Sequence, residues 1–248
     1  MNARSQYTET ALRKNENPLN GFRDCHAGAR CFVVGNGPSL AGMPLGLLAG
    51  EWFFCVNRGY LAQTLGLPFP PYYVVADPNF YNQYHEEIRQ AAVGTRLYRE
   101  NIATTRAYAE AAEHENAYFY PYIGTPQMDE PGGAFSTDFI TQGTSRGGTV
   151  LLDAIQIAFT MGFAEVYVIG CDLDYDVATP YFYNCADYES RSKAILPLQR
   201  VLDSMRMAEK VFSAHGRKLI NCTVGGKLET LPRMKFEDLF PPEHFPFR

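Results

Sequence analysis

A chain of 248 residues with 46% hydrophobic residues is long enough to bury one sizeable core, and its formal charge of −5 gives no basic footprint for nucleic acid. No apolar run approaches the ~20 residues of a membrane-spanning helix. The first twenty residues are polar and lack the apolar segment of a secretory leader, so we expect a cytoplasmic protein, at most peripheral at the inner face of the membrane.

Residues 1–20 read as a polar arm, 21–240 as a single domain and 241–248 as a tail. Cys31 to Val34 is an apolar, partly β-branched run that predicts a buried strand. Gly35-Asn36-Gly37-Pro38-Ser39 follows, a glycine turn with a proline suited to the first turn of a helix. Such a turn either cradles a phosphate on free N–H groups or simply links strand to helix. Leu40 to Gly50 predicts a weakly helical link, Trp52 to Val56 a second strand and Tyr60 to Leu65 a short helix. Tyr72 to Ala76 predicts a third strand, Phe80 to Val93 a helix, and Thr95 to Tyr98 and Ala117 to Tyr122 further strands around the helical stretch Thr104 to Glu113. Residues 124–143 have no periodicity and read as a loop, a candidate lid. Gly147 to Met161 has the strongest helical spacing of apolar residues, and Glu165 to Ile169 is a strong strand. Ser190 to Ala214 predicts a helical region interrupted near Pro197, and Lys218 to Ile220 a last strand.

Strands alternating with helices predict an α/β fold, a Rossmann-like mostly parallel sheet with helices on both faces. In such sheets ligands bind beyond the carboxyl ends of the strands. Short polar residues stand there in series: Asn36, Asn57, Asp77, Asp172, and Asn221 with Thr223. Asn and Asp also form ordinary turns, so the series rather than any one residue suggests a shared ligand crevice. The six cysteines contain no C-x-x-C pair, and three lie in strand-like runs, which favours buried reduced thiols over disulfides or zinc. The five histidines are scattered and form no visible metal set.

Motif spacing narrows the ligand. The third position of G-x-G-x-x-G is Leu40 and the second strand ends in Asn57 rather than an acid, so the dinucleotide fingerprint fails. There is no P-loop and no G-x-S-x-G elbow. Thr144-Ser145-Arg146-Gly147-Gly148-Thr149 precedes the strongest helix and reads either as a second anion seat or as a plain N-cap. Asp172, Asp174 and Asp176 alternate after the strong strand, a spacing that suits Mg²⁺ on a diphosphate or a solvated acidic loop.

GNGPSL, CVNRGY, ADP, TSRGG and VYVIGCDLDY, in this order, resemble two related groups. One is the sialyltransferases of glycosyltransferase family 42. The other is the family named for 6-hydroxymethylpterin diphosphokinase, which includes the motility accessory factors and whose usual ending LINCTVGGKLETLPRMKFEDLF resembles. The likeness spans roughly Gly21 to Phe240. The sialyltransferase resemblance implies a CMP-sugar donor and a glycan or protein acceptor, with Gly35, Asn36, Gly37, Ser39, Asn57, Asp77, Thr144, Ser145 and Asp172 around the nucleotide. It also implies that Tyr175 and Tyr181, six residues apart, support the departing phosphate without a metal or any tightly bound cofactor. The histidine that serves those enzymes as general base has no counterpart between Asn184 and Ala214, which leaves the role to Asp187 or Glu189. The diphosphokinase resemblance implies instead transfer of diphosphate from ATP to a pterin alcohol, with Mg²⁺ at Asp172 and Asp174. A third reading is a non-catalytic nucleotide-binding module. Each reading is compatible with a homo-oligomer.

Overall fold

The computed structural model describes residues 17–104, 108–114, 116–123, 135–175, 179–184 and 198–241. Its centre is a seven-stranded sheet of β1 (Arg30–Val34), β2 (Trp52–Val56), β3 (Tyr72–Val75), β4 (Thr95–Arg99), β5 (Ala117–Tyr120), β8 (Glu165–Ile169) and β9 (Lys218–Asn221). The order is β5-β4-β3-β2-β1-β8-β9, and every neighbouring pair is parallel. A short two-stranded element, β6 (Tyr122–Ile123) with β7 (Thr144–Ser145), continues beyond Pro121. The α/β, Rossmann-like expectation is met.

The central strands β1, β2, β3 and β8 read as nearly unbroken apolar runs because both faces are covered. Successive side chains alternate across the sheet. Cys31 and Val33 join one core with α3 (Val150–Thr160) and α4 (Leu198–Ala214). Phe32 and Val34 face the other side, where Leu40, Met43, Leu45 and Leu48 pack on them. Leu40, Leu45 and Leu48 come from two 3₁₀ turns of the β1–β2 crossover, Pro38–Gly42 and Leu45–Leu48, and Met43 lies between the turns. Pro38, Gly42, Pro44 and Gly46 are too close together for a continuous α-helix, so the weak helical signal is met by short turns. Toward β3 and β4 the same face is closed by α1 (Pro78–Gln90), whose Phe80, Tyr81, Tyr84 and Ile88 pack on Tyr73, Val75 and Tyr98. A short α2 (Tyr108–Glu113) adds Ala111.

In the segment 144–149, read as a second anion seat or a plain N-cap, Thr149 caps α3 while Thr144 and Ser145 form β7. Residues 135–143, read as loop, lie against α3 with Phe139 and Ile140 buried, while 124–134 fall outside the described residues. Among the described cysteines Cys31, Cys55, Cys171 and Cys222 are buried and Cys25 is exposed, all five as free thiols. No helix among the described residues is long and apolar enough to cross a membrane.

Candidate functional site

Seven parallel strands put all their carboxyl ends on one edge. Asn36, Asn57, Asp77, Asp172 and Thr223, which follow β1, β2, β3, β8 and β9, therefore share that edge. The strand order turns back between β1 and β8, and there the two chains touch. Gly35 N–H donates to Ile169 O and Gly37 N–H to Gly170 O, each at 2.8 Å. A Cβ on Gly35 would overlap Gly170 O, and one on Gly37 would overlap the Asp172 carboxylate. The glycines are required by this close approach.

The turn already cradles an anion. Asp172 Oδ1 accepts from the Ser39 N–H at 3.2 Å, and Oδ2 accepts from Ser39 Oγ at 2.8 Å. Burial raises the Asp172 carboxyl above its ordinary value, only partly offset by the Ser39 hydrogen bonds. Asp174 pairs with Lys227 at 2.8 Å, and the Lys227 N–H donates to Asp172 O at 2.7 Å. A divalent cation at Asp172 and Asp174 would have to displace both sets of partners. No group of three or more His, Cys, Asp or Glu among the described residues is placed to hold a metal. Beside them, Thr223 Oγ1 accepts from the Cys171 N–H at 3.0 Å, and Asn221 Oδ1 accepts from the Thr223 N–H at 2.9 Å.

The neighbouring gap between β1 and β2 is built differently. Asn36 Nδ2 donates to Val56 O at 3.1 Å, which bridges the two strand ends and fixes which way the amide faces. Its Oδ1 is buried and has no hydrogen-bond partner. Asn57 adopts the left-handed conformation, φ +50°, and its Oδ1 is likewise buried without a partner. Two adjacent strand ends thus each carry an unsatisfied amide oxygen, in an interior where most buried polar groups are paired. Asp77 caps α1, accepting from the Asn79 N–H at 2.9 Å and the Phe80 N–H at 3.4 Å.

Residues 179–184 cross this gap. The Phe182 N–H donates to Asn36 O at 3.1 Å, and its ring packs on the β1 side of the core. Tyr181 stacks on Tyr183, centroids 5.4 Å apart and planes 4° apart. Arg58 lies 4.8 Å from the ring of Tyr183 and 4.8 Å from that of Tyr84. Its Nε and Nη2 donate to the two oxygens of Glu87, both at 3.0 Å, and the Tyr60 hydroxyl donates to Glu87 at 2.6 Å. The sequence reading passed over Arg58 as part of a turn. The available signal was a lone cation directly after the strand-end Asn57, with acids of a helix to follow. Tyr175 is 38% exposed as a whole, yet burial, reinforced by Cys171 and Asp172, pushes its hydroxyl pKa up to about 12. Asp176, Asp187 and Glu189 lie outside the described residues.

Thr144 and Ser145 are held from below by α3. Thr144 Oγ1 donates to Asp153 at 2.6 Å, and Ser145 Oγ donates to Gln156 Oε1 at 2.8 Å. Gln156 Oε1 also accepts from the Ser145 and Ser136 N–H groups at 2.9 and 2.7 Å. Each hydroxyl donates its proton to a side chain of α3, and both residues are fully buried. Asp153 in turn grips Arg99 at 2.6 Å to each oxygen and receives the Tyr120 hydroxyl at 3.3 Å. Burial works against the Arg99 charge, but Asp153 more than restores it, leaving the guanidinium above its ordinary value. Asp153, Gln156 and Thr160 form a buried polar stripe on α3 that a count of apolar positions misses.

The described histidines sit elsewhere. His26 stacks on Phe163 and bonds to the Tyr72 hydroxyl at 2.6 Å, at the amino ends of the strands. His114 and His215 precede β5 and β9 at that same end. Burial, with Arg96 and Arg89 adding to it, lowers the pKa of His114 to about 4. His85 lies on α1, its Nδ1 3.2 Å from Asn82 O.

No family model matches the chain, and no curated protein matches it. Among the solved structures that share its fold are two glycosyltransferases. A MAf glycosyltransferase from Magnetospirillum magneticum AMB-1 is 13% identical with a TM-score of 0.50, over 86% of this chain and 34% of that one. The chain thus spans about a third of that protein's length. A crystal structure of the sialyltransferase CST-II in complex with CMP is 15% identical with a TM-score of 0.51, over 82% of this chain and 84% of that one. Neither neighbour is a diphosphokinase. At these identities the likeness establishes a Rossmann-like fold of the kind those glycosyltransferases have.

Proposed function

We propose that the chain is a glycosyltransferase that binds a CMP-type nucleotide sugar at the β1–β2 end of the carboxyl edge and transfers the sugar to a glycan or protein hydroxyl. The observation that carries this reading is the pair of buried, unpartnered amide oxygens of Asn36 and Asn57. An amide oxygen only accepts, so the ligand that satisfies it must bring N–H or O–H donors. Ribose hydroxyls and the amino group of a cytosine do so, and a fully ionised phosphate does not. The geometry therefore favours a nucleoside moiety over a bare phosphate at these two residues. Gly35, Gly37, Ser39 and Asp172 are then the rigid floor of the cleft, and Asp77, Thr144 and Ser145 its margin.

In the reaction, an acceptor oxygen forms a bond to the anomeric carbon as the bond from that carbon to the phosphate oxygen breaks. The Tyr175 hydroxyl, with a pKa near 12, stays protonated at neutral pH and donates to the departing phosphate, with Tyr181 as its companion. The acceptor proton passes to a base for which Asp187 is the candidate. Asp172 and Asp174, the carboxylates a Mg²⁺-dependent diphosphate transfer would need, accept from Ser39 and pair with Lys227, so no observation favours that second reaction.

The test is a thermal-shift panel of CMP, CDP, UDP, GDP and ATP, with and without Mg²⁺. CMP at a hundred times its Kd is expected to add about 2.7 kcal/mol of apparent stability without metal. Asn57→Gly, which keeps the left-handed backbone and removes only the amide, is expected to weaken CMP roughly tenfold or more, as a lost buried hydrogen bond does. Stabilisation by ATP only with Mg²⁺, or no response to CMP, overturns the reading.

A further inference from the structure

We infer that Arg58 is a positioning residue: it clamps the 179–184 segment across the β1–β2 gap and so sets the geometry of the nucleotide cleft. The purpose assigned to the clamp rests on the function proposed above; its geometry does not. Three separate parts of the chain meet at this one guanidinium. Arg58 belongs to the 3₁₀ turn after β2, Glu87 and Tyr84 to α1, and Tyr183 and Asn184 to the crossing segment.

Most of the side chain faces protein. Its Nε and Nη2 donate to both oxygens of Glu87, Nη1 reaches Asn184 O at 3.4 Å, and its charge faces the rings of Tyr84 and Tyr183. Its own charge is neutralised by Glu87, which the Tyr60 hydroxyl also holds. A residue with that many protein contacts acts on a ligand through others. The path is short. Arg58 follows Asn57 directly, and the segment it clamps donates Phe182 N–H to Asn36 O. Asn36 closes the loop by donating to Val56 O, just before Asn57. The clamp therefore links both unsatisfied amides, and it also fixes Tyr181 through the ring stack on Tyr183. Catalytic and binding groups misplaced by about 1 Å lose large factors in rate or affinity, which is what a positioning residue guards against.

Lysine keeps the charge and loses both the two-pronged grip on Glu87 and the planar face against the rings, so Arg58→Lys is the discriminating variant. The measurement is amide hydrogen exchange of the full-length, ligand-free chain, followed by titration with CMP. In Arg58→Lys the Phe182 amide is expected to exchange roughly tenfold faster or more while amides of β1 and β2 keep their protection. Glu87→Gln, which keeps one carbonyl acceptor, is expected to give a smaller change at the same amide. CMP affinity is expected to fall roughly tenfold in Arg58→Lys. Unchanged Phe182 exchange overturns the clamp. An equal rise in β1 and β2 overturns it too, because that marks plain destabilisation. A loosened segment with unaltered CMP affinity overturns the positioning role. Should the unaltered chain not bind CMP, the proposed function falls, and the exchange comparison still decides whether Arg58 holds the segment.

Discussion

Two arginines stand at the carboxyl edge of the sheet, and each grips one carboxylate with two nitrogens. Arg99 and Asp153 are almost wholly withdrawn from water, with side chains 8% and 0% exposed, and Tyr120 and Thr144 donate to the same carboxylate. Arg58 and Glu87 make the same two-pronged contact with side chains 16% and 34% exposed. The chemistry is alike and the surroundings are not. In the dry site each charge depends on the other, because almost no water reaches either one. In the wetter site water can replace a lost partner, so the pair carries little of the folding free energy. The first pair belongs to the fold and ties β4, β5, β7 and α3 together. The second pair joins the turn after β2 to α1, beside the Tyr183 ring of the crossing segment.

The largest effect expected from this contrast is at Asp153. Asp153→Ala leaves a buried guanidinium with no counter-charge and frees the Thr144 and Tyr120 hydroxyls, which should cost about 3–5 kcal/mol in urea unfolding. Replacing both partners, Arg99→Met with Asp153→Leu, should recover most of that loss, because no orphaned charge remains. A single-variant loss below about 1 kcal/mol would put the Arg99 pair on the same footing as an exposed one and break the comparison.

These two pairs also mark what the sequence does and does not convey. The sheet was legible because every central strand is a nearly unbroken apolar run, and Val166 and Val168 announce a buried strand without any neighbour in view. The carboxyl edge was legible for the same reason: once strands are parallel, Asn36, Asn57 and Asp77 must lie together. Thr144 and Ser145 were legible as polar groups near a helix start, but not as β7. A two-residue strand is set by Pro121 and β6 across twenty-odd residues of chain, which no local pattern carries. Asp153 and Gln156 were hidden inside the best apolar helix, since their polarity has meaning only against Arg99 and Ser145. Arg58 was hidden because its partner lies 29 residues on.

A third carboxylate at this edge sharpens the scale. Asp172 is buried like Asp153, yet its two oxygens receive hydrogen bonds from Ser39 rather than a cation, and burial raises its pKa. A raised value means that the folded chain binds this proton more tightly than the unfolded chain. Stability is therefore lost as pH climbs from the ordinary carboxylate value of 3.8 through the raised folded value, and the loss is constant above it. Asp172→Asn keeps an acceptor for the Ser39 N–H and removes the titration. The difference in unfolding free energy between variant and parent should move in the variant's favour across that window and then level off. Carboxylates shifted the other way, such as Glu165 held low by Lys218 and Tyr167, are common to both proteins and cancel. A flat difference would show that Ser39 alone compensates the buried charge.

The smallest expected change in stability belongs to the Arg58 pair. Glu87→Gln keeps the volume and a carbonyl acceptor for one nitrogen of Arg58, and it gives up one charge-assisted bond. With a third of the Glu87 side chain in contact with water, the global cost should stay within about 1 kcal/mol. Chemical denaturation of this variant beside Asp153→Ala, in the same buffer, places the two arginine pairs on one axis. Raising the salt from 0.1 to 1 M shortens the screening length from about 10 to 3 Å, so the Glu87→Gln difference should shrink while the Asp153→Ala difference persists. If both shrink alike, water reaches Arg99 and the division of labour between the two arginines fails. If neither does, the rings of Tyr84 and Tyr183 shield Arg58 as thoroughly as the sheet shields Arg99, and the clamp is then part of the folded core.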